Sequence, residues 1–412
     1  MQPLTGFRDF LPEDCALRSY IFAQWRQVSR RYRFVEYDGP VLEELELFVR
    51  KSGPEIVKQL YDFTDKGGRE VALRPEMTPT LARMVAASHR DFRKPMKWFS
   101  IPQMFRYERP QKGRLREHYQ YNCDIIGEAS PEAEVELIAV CIDVLRSFGF
   151  TAEDVVVRLS DREFWIDFLR QQNVPEERWQ AVLEVIDKSE REPREKSAER
   201  LGELAEPVFQ VLEQGGQSAK LDTIIAGLAQ RGLADFVQVD LRIVRGLAYY
   251  TGVVFEAFDR AGKLRAIAGG GRYDNLVNHL SDGAASLPAL GFAMGDVVLG
   301  ELIRENATAR AKMEAAVQRE EQLDVYVVIA KEERRAEALR HIQQLRDAGY
   351  RVDYPLTAAK VGKQFQNAEQ LSARVAVLFG DEWPQVKVKT LATREEQLLP
   401  HEELLARLHE LF

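Results

Sequence analysis

Cysteine is scarce in this chain: Cys15, Cys123 and Cys141 are the only three, and no two form a CxxC pair. So odd and scattered a set supports neither a disulfide framework nor a structural zinc, and it suits a reducing cytoplasm. Long apolar runs are missing too. None approaches the roughly 20 residues that cross a bilayer, and the opening MQPLTGFRDFLPED has neither a basic start nor an apolar stretch, so secretion and membrane insertion are not expected. The six histidines (89, 118, 279, 341, 401 and 409) include no HExxH, and no GxSxG occurs, which removes the metalloprotease and serine-hydrolase readings. Neither GxxxxGK[ST] nor a strand-linked GxGxxG is present, so glycine alone makes no nucleotide site. Excess positive charge is absent as well: 57 Lys and Arg face 65 Asp and Glu, a net of −8, which argues against broad nonspecific nucleic-acid binding.

What is present is a globular chain of 412 residues, 45% hydrophobic and 30% charged, too long for one ordinary core. Residues 1–161 mix helix and strand patterns. LRSYIFAQWRQVSRRY (17–32) has amphipathic helical spacing, and strand-like runs at 96–106 and 119–126 flank the polar loop ERPQKGRLRE. PEAEVELIAVCIDVLRSFG (131–149) reads as a helix with Pro131 at its start and Gly149 at its stop. Residues 162–235 are helical and charge-rich, an insertion. Strand signals return at 236–244, 249–259 and 263–270, so that 236–305 resumes the first core. Residues 306–322 read as a polar linker, and 323–412 alternate strands with helices, a small separate α/β domain.

Chemistry concentrates in three places. The stretch 94–116 carries Lys94, Lys97, Arg106, Arg109, Lys112, Arg114 and Arg116 against the single acid Glu108. Guanidinium forks match phosphate oxygens, so this is an anion-site candidate, with a solvated hairpin as the plain alternative. Glycine clusters at IAGGGRYDN (267–275) and LGFAMGD (290–296) permit close backbone approach or simply make turns. VRGLAYYTG (244–252) sets Arg245 beside paired tyrosines.

Taken in order, these segments resemble histidyl-tRNA synthetases, a family of class II aminoacyl-tRNA synthetases. The resemblance runs nearly end to end: GFRDFLP (6–12), Pro40 of motif 1 with LEELELFVRKSG, LRPEMTPTLAR (73–83), the motif 2 hairpin FRYERPQKGRLREHYQYNCDIIG (105–127), VRGLAYY and AGGGRYDNL. The C-terminal segment, including VGKQFQNAEQLSARVAVLFG (361–380), is similar to the family's anticodon-binding domain.

The resemblance implies an α+β fold: an antiparallel sheet flanked by helices, with a helical insertion and a C-terminal α/β domain, in a cytoplasmic homodimer joined through motif 1. It implies a ligase that activates L-histidine with ATP and Mg2+ and passes it to histidine tRNA, without a dedicated protein metal site. Glu76, Thr78 and Gln120 would hold the histidine ammonium, and Asp124 and Tyr250, with Tyr249 alongside, would meet the imidazole. Arg106 would grip the α-phosphate of ATP and Arg245 would face it from the other side, the two catalytic cations. Glu108 would lie near the adenine, His118 would stack on it, and Arg114 would reach the γ-phosphate. Gln111 and Arg116 would approach the tRNA acceptor end.

Three positions depart from the family pattern: Ala248 stands where Asp is common, His118 where Phe is, and Val298 where motif 3 has arginine. Arg304 lies six residues on, about 9 Å along a helix and on another face, a poor substitute. Loss of that arginine fits the runner-up reading, a paralogue resembling the histidine-sensing regulatory subunit of ATP phosphoribosyltransferase. Intact Arg106, Arg114 and Arg245 and the C-terminal domain favour the ligase. That domain holds 13 Lys and Arg against 14 Asp and Glu, so RNA contact would need a local face, with Lys360, Lys363, Lys387 and Lys389 as candidates.

Overall fold

Runs of β-branched and aromatic residues build one large sheet in the first of two units, Met1–Met313; the second unit is Glu314–Phe412. The computed structural model describes residues 1–52, 54–244 and 249–412. The sheet strands are β1 (Val35–Glu36), β2 (Met96–Ser100), β3 (Glu117–Ile126), β4 (Val155–Asp161), β5 (Val237–Val239), β6 (Val253–Asp259), β7 (Ala268–Arg272) and β8 (Ala289–Gly295). Their spatial order is β1-β2-β3-β8-β7-β6-β4-β5. The pairings from β2 through β4 are all antiparallel, and only the short edge strands β1 and β5 pair in parallel. The expected antiparallel sheet flanked by helices is therefore the observed one, with parallel edges added.

Strand boundaries differ from the sequence expectation for local reasons. The run 96–106 breaks at Pro102, which has no N–H to give; a short separate strand, Gln103–Phe105, follows and pairs with β3. In 236–244 only three residues pair, because the Asp240 carboxylate accepts the N–H of Arg242 at 3.1 Å and its guanidinium at 2.7 Å and turns the chain. In 263–270 pairing starts at Ala268, since the Asp259 carboxylate accepts the N–H groups of Lys263 and Leu264 at 2.9 and 3.0 Å. Arg265 thereby lies just outside the strand.

Helix α1 (Pro12–Arg31) opens with proline and two acids and closes with two arginines, as the helix dipole favours. Its Trp25 stacks on Tyr121 of β3, centroids 5.6 Å apart and planes 16° off, while the Tyr121 and Ser29 hydroxyls meet at 2.8 Å. Helix α2 is Thr78–Ser88, and α3 (Glu132–Ser147) is buried along most of its length. A buried fork joins β7 to α3: Arg272 donates to both oxygens of Glu134 at 2.6 Å. Removing one partner of such a pair costs about 3–5 kcal/mol, so Arg272 of the AGGGRYDN segment fixes the sheet against its helix. Between Arg162 and Gln230 the chain forms helices Arg162–Gln171, Glu176–Lys188, Arg194–Leu201, Ala205–Gln214 and Ala219–Gln230. Helix α4 (Asp296–Glu305) follows β8 directly.

Residues 306–322, expected as a linker, are largely the helix Ala307–Glu321. In the second unit, strands Val352–Asp353, Val325–Ile329 and Val375–Phe379 lie parallel, and Gln385–Thr390 and Glu396–Pro400 continue antiparallel. Gln364 of the helix Val361–Gln370 is buried and exchanges two hydrogen bonds with the backbone of Ile329, at 2.8 and 2.9 Å, which pins that helix to the strand Val325–Ile329.

Candidate active site

A cleft of about 1110 Å³ opens over the face of β3, β8 and β7 in the first unit. Side chains alternate along a strand, so His118, Gln120, Asn122 and Asp124 of β3 line the cleft together while Tyr121, Cys123 and Ile125 go to the core behind. Opposite this polar stripe β8 supplies small residues in register: Gly295 faces Gln120, Ala293 faces Asn122 and Gly291 faces Asp124. The pattern of LGFAMGD thus keeps the cleft floor clear. At Gly291 the need is acute, because a Cβ there would lie 1.9 Å from Asp124 Oδ1.

Asp124 sits at the deep end, buried to 5% exposure, and its Oδ1 accepts the Tyr273 hydroxyl at 2.5 Å. Burial pushes its carboxyl up to about 7, against the lowering effect of that hydroxyl. Tyr273, buried beside the same carboxylate, is held well above the usual tyrosine range and remains the donor. Tyr249 and Tyr250 complete the wall, with ring centroids 4.5 Å apart, and Tyr249 meets Tyr273 edge-on at 6.2 Å. Glu76 and Thr78 reach the cleft from the start of α2, where Pro79 suits the first helical turn. Glu76 pairs with the ammonium of Lys51, which also lies 4.1 Å from the Tyr249 ring centre.

Toward the open end come Arg106, Glu108, Arg114 and His118. Arg106 is oriented by its Nε, which donates to the Pro75 carbonyl at 2.9 Å. Arg114 pairs with Glu108 at 2.7 Å. The His118 ring is partly open to the cleft, yet protein atoms crowd it; burial first, then the charges of Arg106, Arg8 and Arg114, push it down to about 3 and keep it neutral. The GFRDFLP segment acts from beneath: Arg8 bridges Glu117 at 2.6 Å and Asp296 at 2.9 Å, tying β3 to the start of α4.

Of the expected residues, Glu76, Thr78, Gln120, Asp124, Tyr249, Tyr250, Arg106, Glu108, Arg114 and His118 all line this one cleft. Gln111 and Arg116 do not. Gln111 is exposed at the hairpin tip, and Arg116 donates to the Glu108 carbonyl at 3.1 Å and covers the Tyr107 ring. Arg245 and Ala248 lie outside the described residues. The basic stretch also disperses: Lys94 donates to backbone carbonyls and Lys97 pairs with Glu136 at 2.6 Å, so of its seven cations only Arg106 and Arg114 line the cleft. In the second unit Lys387 and Lys389 pair with Glu382 and Glu396, at 3.6 and 2.7 Å.

Sequence reasoning missed Tyr273, Lys51, Asn122 and Arg265. Asn122 was legible from the two-residue period between Gln120 and Asp124; Tyr273 and Lys51 lie in segments noted for other residues, and Arg265 lies just before one.

Residues 6–299 match the family model described as histidyl-tRNA synthetase, and 324–411 match an anticodon binding domain. The chain belongs to the histidyl-tRNA synthetase family. It is 47% identical to a histidine–tRNA ligase of Opitutus terrae, over 100% of this chain and 98% of that one. A chloroplastic/mitochondrial histidine–tRNA ligase of Arabidopsis thaliana is 40% identical over 96% of this chain and 84% of its own length. The fold is shared with a crystal structure of histidyl-tRNA synthetase from Nostoc sp. PCC 7120, with a TM-score of 0.78 at 23% identity, covering 100% of this chain and 99% of that one.

Proposed function

We propose that this protein is a histidine–tRNA ligase working in two steps. In the first, a carboxylate oxygen of L-histidine attacks the α-phosphorus of ATP, a new P–O bond forms and pyrophosphate leaves. In the second, a hydroxyl of the terminal tRNA ribose attacks the adenylate carbonyl and AMP leaves. The observation that carries this reading is the layout of a single cleft, with a buried carboxyl between tyrosines at one end and oriented arginines at the other.

Asp124 and Tyr250 receive the imidazole, and a carboxylate accepting one ring N–H suits a ring with two nitrogens. Glu76, Thr78 and Gln120 take the ammonium, which meets Glu76 where Lys51 already offers a chemically similar group. Arg106 and Arg245 stabilise charge that develops on the α-phosphate, and fixed cations aimed at such charge act mainly on turnover. Glu108, Arg114 and neutral His118 hold the rest of the nucleotide. ATP enters as its magnesium complex, and among the described residues no group of three or more His, Cys, Asp or Glu side chains is arranged to hold an ion. Gln111 and Arg116, outside the cleft at the hairpin, approach the tRNA acceptor end, and the 323–412 domain holds the anticodon. A cytoplasmic homodimer completes the reading; no helix among the described residues is long and apolar enough to cross a membrane.

The test is histidine-dependent exchange of pyrophosphate into ATP, followed by charging of histidine tRNA. Exchange is expected in the intact protein. Arg245→Ala should lower the maximal rate by about 10²–10³-fold, about 2.7–4 kcal/mol for one preorganised donor, while leaving histidine affinity near normal. A protein that binds histidine but catalyses no exchange would overturn the proposal.

A further inference from the structure

The open end of the cleft contains a cation that the motifs do not assign. Val298, at the position where the family pattern has arginine, is 8% exposed and carries no charge to offer a nucleotide. Its Cγ2 lies 3.2 Å from the point where a Cβ on Gly113 would stand, and Cδ of Arg265 lies 3.8 Å from the same point. The two side chains therefore converge on one glycine of the hairpin loop.

Register explains the convergence. Ala268 of β7 faces Met294 of β8, so the residues just before β7 and just after β8 leave the sheet at the same rim. Arg265 comes off one strand there and Val298 off its neighbour. Arg265 is exposed and lines the cleft. Its charge is also uncommitted. Arg106 is held by a carbonyl, Arg114 by Glu108 and Lys51 by Glu76, whereas among the described residues Arg265 has neither a hydrogen bond nor an ion pair. Lys58 and Arg191 line the cleft too, but neither comes within 4 Å of the Gly113 position.

Distance decides what Arg265 can meet. From Gly291, opposite Asp124, to Gly295 is four residues, about 13 Å of strand, and Arg265 lies beyond that end. A histidine with its imidazole at Asp124 and its ammonium at Gln120, opposite Gly295, is fully engaged before that end and does not reach Arg265. The next group outward is the nucleotide, and a guanidinium that lines the same cleft as Arg114 and approaches Gly113 of its hairpin is matched to phosphate oxygens.

We propose that Arg265 contacts the β- and γ-phosphates of ATP and so supplies from the β7 side the positive charge that Val298 cannot. This rests on the ligase reading above, and the experiment separates the two. ATP and AMP affinities of the intact protein, Arg265→Ala and Arg265→Lys are measured by calorimetry with magnesium present, alongside exchange kinetics. Arg265→Ala is expected to weaken ATP about tenfold, the lower end for a charged hydrogen bond at an exposed rim. AMP affinity and the KM for histidine should stay unchanged, with Arg265→Lys in between; the unchanged histidine KM also shows that the variant is folded. Wild-type ATP affinity in Arg265→Ala, or equal loss for ATP and AMP, would overturn the assignment. If the intact protein binds ATP in an Arg265-dependent way but catalyses no exchange, this inference stands and the ligase reading falls. If the enzyme is active and indifferent to Arg265, the ligase reading stands and this inference falls. An intact protein that binds no ATP ends both.

Discussion

At its Asp124 end the cleft is walled by buried strand residues locked in register, whereas at its Arg265 end it is walled by long side chains from a loop, a strand margin and a helix start. The deep end has no slack: a Cβ at Gly291 would overlap Asp124, and one at Gly270 would come within 2.3 Å of the Gly291 carbonyl. The open end has room, with nothing within 4 Å of a Cβ at Gly295. Of the three departures from the family pattern, His118 and Val298 fall at the open end and none of the described ones at the Asp124 end. A cation for a triphosphate can be delivered from several directions, because charge acts over distance and arginine reaches far. A carboxyl buried against a ring cannot be relocated without rebuilding two strands.

The largest test of this contrast is electrostatic, because the two ends titrate in opposite directions. Asp124, raised to about 7, holds its proton more tightly folded than unfolded. Its contribution to stability is whole below about 3.8 and is lost as pH rises through about 7, a change on the order of 4 kcal/mol. His118, pushed down to about 3, refuses when folded a proton that the unfolded chain accepts. Its contribution is whole above about 6.5 and is lost as pH falls toward 3, by less than for Asp124 because its ring is partly solvated. The two trends offset one another in the intact protein. Between pH 4 and 7, Asp124→Asn should therefore gain stability with pH more steeply than wild type, and His118→Phe less steeply. Urea denaturation at three pH values measures this, and parallel curves for all three proteins would count against both assignments.

Next in size is Gly291→Ala. The added methyl must displace the Asp124 carboxylate or open β8 from β3, and overpacking of this kind costs about 1–3 kcal/mol. Histidine affinity should fall at least tenfold in the same variant, since the displaced group is the one proposed to receive the imidazole. Calorimetry with L-histidine checks it; normal affinity together with normal stability would mean that the deep end yields more easily than the strand register implies.

Much of this was legible in the amino-acid sequence. The strand at β3 and the helices of 162–235 follow from local pattern, and the antiparallel sheet was expected from the resemblance. The ten expected residues that share the cleft were recognisable because the segments that carry them resemble the family's motifs residue by residue; that Gln120 and Asp124 share one strand face is what the structure adds. Tyr273 was harder: it lies in a segment read for its glycines, and its role depends on a hydroxyl reaching β3 from 149 residues away. Lys51 and Arg265 were not singled out, because a cation in a segment of this kind looks the same whether it faces solvent or a cleft. The seven-cation stretch misled in the opposite sense. Proximity in sequence suggested one anion site, but β2 carries Lys97 toward Glu136 on α3, and the hairpin sends Arg116 over Tyr107.

The smallest expected effect is the sharpest check on the open end. Gly295→Ala changes the same strand, β8, by the same single methyl as Gly291→Ala, four residues away. Gly295 has φ −85° and ψ 145°, an extended conformation that alanine adopts without strain, and no atom lies within 4 Å of the new methyl. Replacing glycine by alanine at such a site stabilises by about 0.4–1 kcal/mol through the unfolded chain. Gly295 is also the N-cap of α4, where alanine is a poorer cap than glycine by a comparable amount. These terms offset, so the net change should lie within about 0.5 kcal/mol, against about 1–3 kcal/mol for Gly291→Ala. Urea denaturation of the two variants side by side reads the difference. Equal destabilisation would show that the two ends are packed alike, and the distinction between a rigid Asp124 end and a permissive Arg265 end would fail.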